Sequence, residues 1–206
     1  MPANPPYRAH PWHGISAGDK APEIVNTYIE IVPTDTLKYE MDKESGILKV
    51  DRPQRFSNVS PSLYGFIPKT YCGDEVGRFC MLKTGKTGIL GDGDPMDICV
   101  LSEKTFTHGD VLVRAVPIGG FRMIDKNQAD DKIIAVLYGD SIYGKWKSIS
   151  DCPASLIDRL KHYFLTYKLQ PGTQENIVEI ADVYDRDEAH EVIRCSLKDY
   201  QQSYER

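Results

Sequence analysis

The run GILGDGDPMDICVL at residues 88–101 places Asp92, Asp94 and Asp97 within six positions, directly ahead of an apolar tail. Like charges this close raise one another's pKa values and destabilise a fold that holds them together without a cation. Oxygen-only donors suit hard divalent ions, and Mg²⁺ is usually held by one or two carboxylates together with water and phosphate oxygens. The stretch therefore points to magnesium and phosphate. A solvated acidic turn is the plain alternative, and the rest of the chain has to decide between them.

Side chains alternate across a strand, so Asp92 and Asp94 share a face if the run is extended, whereas Asp97 has the opposite parity. Gly93, with a free φ, and Pro95, with a fixed one, supply a bend that re-aims it. Ile98 to Leu101 reads as a buried strand that anchors the acids.

A chain of 206 residues can bury a core and fits one domain. The expected organisation is an irregular arm over 1–23, rich in Pro, Gly and Ala, followed by a single domain over 24–206. Apolar runs fall short of the roughly 20 residues needed to span a bilayer, and the N-terminus lacks a charged and apolar leader pattern, so a cytoplasmic protein without membrane contact is expected. Cys72, Cys80, Cys99, Cys152 and Cys195 are odd in number and irregular in spacing, which reads as free thiols. A net charge of −5 disfavours nucleic-acid binding. It leaves a small anionic substrate open, because local charge governs that encounter.

From Ile24 the pattern turns to strands: IVNTYIEIV, LKYEMD and, after the turn KESG, ILKVDR, together reading as a meander. Lys38 and Glu40 share one face of the second run, Glu30 lies on the first, and Arg52 closes the third; taken in isolation, exposed cross-strand ion pairs explain them better than a site does. NVSPSLYGFIPK carries Tyr64 in a turn and short strand. Residues 70–87, polar and with glycines, read as an inserted surface loop or hairpin. DVLVRAVPIGG, FRMID and DKIIAVL give three more strands. Asp125 ends one, while Asp130 and Lys132 share a face at the start of the next and Asp131 points away.

Helices come late. Leu156, Leu160, Phe164 and Tyr167 repeat at helical spacing after Pro153, with Tyr167 and Lys168 at the end. A strand over NIVEIADVYD precedes a second helix over 187–204. Many short strands that close on themselves, with two late flanking helices, make an α+β, mainly β domain on a small barrel.

Taken together, IEIVPTDTLKYE, KESGILKVDR, YGFIP, GDGDPMDICVL, the spacing of Asp125, Asp130 and Lys132, and HYFLTYK resemble the family I soluble inorganic pyrophosphatases over residues 24–168. The resemblance implies a five-stranded OB-like barrel with additional strands, and Mg²⁺-dependent hydrolysis of inorganic pyrophosphate to two orthophosphates by metal-activated water. Several Mg²⁺ ions per site are implied, with Mn²⁺ or Zn²⁺ as substitutes. It assigns Asp92, Asp97, Asp125, Asp130 and Glu30 to metal and Asp94 to the base that activates water. Lys38, Arg52, Tyr64, Lys132, Tyr167 and Lys168 go to the substrate, and Glu40 to the cavity lining. It also implies a homo-oligomer, a hexamer first: His162 matches one of two assembly histidines, whereas the other position holds Thr166. Ser60 stands where the family carries a tyrosine, and Glu30 and Lys38 lie one residue closer together than in many members.

Other chemistries fit less well. A nucleophilic-aspartate phosphatase would alternate strands with helices throughout. A calcium loop lacks the glutamate five residues beyond the D-x-D-x-D-G pattern. An OB module for oligonucleotides would carry a positive groove.

Overall fold

In the computed structural model, which describes residues 8–169, 172 and 178–205, the chain enters its first strand at Val25. Residues 1–7 of the expected arm and 176–177 of the expected last strand lie outside the described residues. The strands are β1 (Val25–Ile31), β2 (Leu37–Met41), β3 (Leu48–Pro53), β4 (Leu63–Phe66), β5 (Leu90–Gly91), β6 (Asp97–Leu101), β7 (Val111–Asp125), β8 (Gln128–Ala129), β9 (Lys132–Leu137) and β10 (Val178–Asp185). The helices are α1 (Asp74–Thr84), α2 (Ala154–Thr166) and α3 (Arg186–Tyr204).

Strands β1, β4, β6, β9 and β7 pair in that order, and β7 returns to β1, which closes the small barrel expected from the pattern with the five strands that the resemblance implies. The β6–β9 pair is parallel and its barrel neighbours are antiparallel. Strand β10 extends one end of β7. The fold is α+β and mainly β.

Why β6 and β9 sit at the centre follows from their unbroken apolar runs, the mark of strands covered on both faces. Ile98, Val100, Ile133 and Ala135 join one core with Val25, Ile29 and Ala115, and with Val76, Val192 and Ile193 from α1 and α3. Alternate residues Cys99, Leu101, Ile134 and Val136 join a second core with Leu160 and Phe164 of α2. Each fully buried Ile or Leu contributes about 1.5–3 kcal/mol, so these two strands are the fixed frame of the molecule.

Three expectations need correction. Residues 70–87 are no loop or hairpin: they hold α1, so among the described residues three α-helices rather than two flank the barrel. The helix lacks a local side-chain cap at its N-terminus; Asp199 of α3 accepts from Gly73 N (2.9 Å), Glu75 N (2.9 Å) and Val76 N (3.1 Å) instead. A cap supplied from 126 positions away leaves no mark on the local sequence. Gly77, one of the glycines of this stretch, is where the helix rides against backbone, since a Cβ there would stand 3.1 Å from Gly91 N and Ile89 O.

The expected meander does not form either. Pro33 and the Asp35 carboxylate, which accepts from Val32 N at 2.8 Å, turn the chain away, and β2 and β3 make their own two-stranded sheet. Finally, the runs read as two strands over 111–125 are one strand, β7. Its glycines mark a shift of register and close approach rather than a break: a Cβ on Gly119 would lie 2.5 Å from Tyr184 O of β10.

Candidate active site

Barrel geometry brings the acids together. Asp97 opens β6 and lies in parallel register beside Lys132, which opens β9. The Lys132 ammonium forms ion pairs with both Asp97 and Asp130, and it lies 5.9 Å from the centroid of the Phe164 ring. Asp130 and Lys132 thus share a face, as alternation requires, while Asp131 pairs with Arg122 and Tyr184 behind them. Asp125 ends β7 and accepts from Lys168 Nζ at 2.6 Å. In the acidic turn Gly93 takes a φ of +78°, and Asp92 Oδ1 accepts from Asp94 N at 2.9 Å. Glu30 of β1 is buried, and its Oε1 accepts from Met41 N at 2.7 Å, which ties β2 to the barrel.

The opposite side comes from the β2–β3 hairpin, where Lys38 and Arg52 are cross-strand partners. Lys38 Nζ donates to Glu40 Oε2 (3.2 Å) and Asp51 Oδ2 (2.9 Å), and Arg52 Nη1 donates to the same Asp51 oxygen at 2.5 Å. From the hairpin's turn Lys43 reaches across to an ion pair with Asp94. Tyr64 of β4 and Tyr167, just beyond α2, add two phenols.

Burial governs the charges. It raises the Glu30 carboxyl to about 8, against the Met41 N–H and with help from Asp97 and Glu40. Burial and then the Asp130 charge raise Asp92 to about 8, with Lys132 pulling the other way. Asp130 moves up for the same first reason. Burial works against the Lys132 ammonium, yet Asp130 and Asp97 outweigh it and hold the group well above its ordinary range. Burial, reinforced by Asp97, likewise pushes the Tyr64 phenol well up.

Every side chain expected at the site lines one cavity of about 330 Å³: the acids 92, 94, 97, 125 and 130, Glu30 and Glu40, the cations at 38, 52, 132 and 168, and the phenols at 64 and 167. Among the described residues no three acid, histidine or thiol side chains converge closely enough to cage an ion. Ammonium groups hold the acids instead. The donor set nonetheless fits magnesium: it is all oxygen, and buried carboxyls raised toward neutrality gain most from a divalent charge. Sequence reading missed Lys43, which looks like an ordinary turn residue, and Asp51, which joins Lys38 to Arg52; neither carries a local signal. Ser60 is buried away from the cavity, its Oγ donating to Ser62 O at 2.8 Å. All five cysteines are free. No helix of the described residues is long and apolar enough to cross a membrane.

Comparison with known proteins agrees with this geometry. The family model described as inorganic pyrophosphatase matches residues 27–201. An inorganic pyrophosphatase of Chlamydia muridarum is 50% identical over 204 residues, covering 97% of this chain and 98% of its own length. The soluble inorganic pyrophosphatase 2 of Chlamydomonas reinhardtii is 36% identical over 196 residues, covering 95% and 91%. Among solved structures, the inorganic pyrophosphatase of Thermus thermophilus superposes with a TM-score of 0.78 at 30% identity, covering 94% of this chain and 99% of that one.

Proposed function

This chain belongs to the inorganic pyrophosphatase family, and from that membership we propose that its acidic cavity hydrolyses inorganic pyrophosphate to two orthophosphates with the help of divalent cations, magnesium foremost. The observation that carries the reading is the convergence of the acids, cations and phenols named above on one small cavity. Asp92, Asp97, Asp125, Asp130 and Glu30 would hold the ions. When bound, they supply positive charge to the phosphate oxygens and acidify water. Manganese or zinc would substitute for magnesium.

The chain's own groups do the rest. Lys38, Arg52, Lys132 and Lys168, with the Tyr64 and Tyr167 hydroxyls, bind and orient phosphoryl oxygens, Arg52 by a planar fork and the lysines as point charges. Asp94, half exposed beside Lys43, orients the attacking water and takes its proton. Water oxygen bonds to one phosphorus as the bridging P–O bond breaks, and the bridging oxygen leaves with its electron pair on the second phosphate. Glu40 shapes the cavity and holds Lys38. A cytoplasmic location and self-association into a homo-oligomer, a hexamer first, belong to the same reading; solution mass tests the second.

Phosphate release from pyrophosphate in magnesium buffer, against the same protein in chelator, tests the proposal. Release with magnesium and none in chelator is expected; no release in either would overturn it. Calcium, with looser coordination than the octahedral geometry magnesium demands, should occupy the acids and inhibit.

A further inference from the structure

Behind the acidic side of the cavity lies a buried ionic cluster that the reaction as described does not use. At its centre is Arg122 of β7, fully out of water. Its Nη2 donates to Asp131 Oδ2 at 3.2 Å, and its Nη1 lies 3.0 Å from Glu188 Oε1 of α3. The guanidinium carbon is 5.0 Å from the ring centroids of both Phe79 of α1 and Tyr184 of β10. Tyr184 also donates its hydroxyl to Asp131 Oδ2 at 3.0 Å, and Lys83 of α1 pairs with Glu188 Oε2 at 2.6 Å. Three elements, α1, α3 and β10, thereby converge on Arg122 of β7, which holds Asp131, the residue between Asp130 and Lys132.

The cluster sits at a gap in the ladder. Strand β7 is in register with β9 at Phe121↔Lys132 and with β8 at Ile124↔Ala129. Between these points Arg122 and Met123 stand opposite Asp130 and Asp131, with a backbone bond from Asp130 N to Met123 O at 3.0 Å. The Arg122–Asp131 pair spans this gap on the side away from the cavity. Buried ion pairs are poor devices for stability, since apolar side chains of equal volume often do as well or better; what they impose is one geometry. A carboxylate fixed at 131 sets the backbone of 130–132, and with it the carboxylate and ammonium that face the cavity.

We infer that Arg122 and Asp131 are positioning residues for the proposed hydrolysis, holding Asp130 and Lys132 at the spacing that divalent ion and phosphate require, with α1 and α3 as the outer brace. The inference rests on the reading of the cavity given above. Partners of this kind, one layer behind the ligands, typically change metal affinity or activity 10- to 100-fold.

The test is the paired variant Arg122→Met with Asp131→Asn, which removes both charges together and leaves no buried charge unpaired. Magnesium affinity is measured by calorimetry on the substrate-free protein, alongside kcat and KM for pyrophosphate. Affinity should fall about tenfold or more and kcat about 10- to 100-fold, with a smaller rise in KM, because of the phosphate-binding cations only Lys132 is displaced while those of the hairpin stay in place. A folded variant with unchanged affinity and kcat would overturn the inference. Should the pair fail to fold, Glu188→Gln decides: a smaller loss of magnesium affinity supports the brace, and none overturns it. Failure of the unaltered protein to release phosphate would instead sink the proposed reaction, while the calorimetric comparison would still judge the brace.

Discussion

The cavity has two unlike sides. One is built on barrel strands, where Lys132 is 2% exposed, Glu30 7% and Asp130 9%, and where burial pushes the Glu30, Asp92 and Asp130 carboxyls up while Asp130 and Asp97 hold the Lys132 ammonium charged against it. The other is the β2–β3 hairpin, a sheet of its own, whose Lys38, Glu40, Lys43 and Arg52 are partly open to water. The barrel side concentrates charge at the cost of desolvating it, which suits ions that need fixed ligands. The hairpin side offers solvated cations that can adjust to an arriving anion. In the proposed reaction the metal ligands would thus all fall on the packed side, and the solvated phosphate-binding cations on the hairpin.

Asp94 stands where the two sides meet, and its loss should have the largest effect. Asp94→Asn should lower kcat by roughly 10²- to 10⁴-fold while the circular dichroism spectrum and magnesium binding stay close to the original; near-normal turnover would refute its role as base. Next comes Lys132→Met, which leaves Asp97 and Asp130 buried without their ammonium. A loss of about 3–5 kcal/mol corresponds to roughly 10 °C in the metal-free melting temperature. On the other side, Arg52→Met should leave that temperature within about 2 °C and raise KM for pyrophosphate about tenfold. Equal destabilisation by the two substitutions would erase the contrast.

The smallest effect is in pH. Because Glu30 is raised to about 8 when folded, the folded chain binds the extra proton between the ordinary glutamate range and pH 8, so metal-free stability falls as pH rises through that window. Asp42, in the hairpin turn, is held below its ordinary range by the Ser45 N–H and hydroxyl and by Lys49. Its contribution has the opposite sign: present at neutral pH and lost on acidification. Thermal melts between pH 5 and 9 in chelator should decline by a few degrees toward the alkaline end, and magnesium should abolish the decline. A flat profile would argue that Glu30 is not desolvated.

The barrel side is the more legible in sequence, because its determinants are local: apolar runs at β6 and β9, an acidic turn with Gly93 and Pro95, and the alternation that separates Asp130 and Lys132 from Asp131. The hairpin itself is readable, but not its departure from the sheet, which depends on Pro33 and a carboxylate cap at Asp35. Least legible is α1. Its cap is Asp199, and Arg122, which lies over its Phe79, is one of two arginines in a mostly apolar strand. Nothing near either residue in the chain announces a partner.

What matters most is whether the buried barrel-side carboxyls Glu30 and Asp92, both raised to about 8, await divalent charge. Titrating magnesium into the metal-free protein near pH 7, in buffers of different ionisation enthalpy, measures the protons released per ion bound. Binding accompanied by net proton release is the predicted result, as Glu30 and Asp92 give up protons to become ligands. Binding without release, or no binding at all, would contradict it.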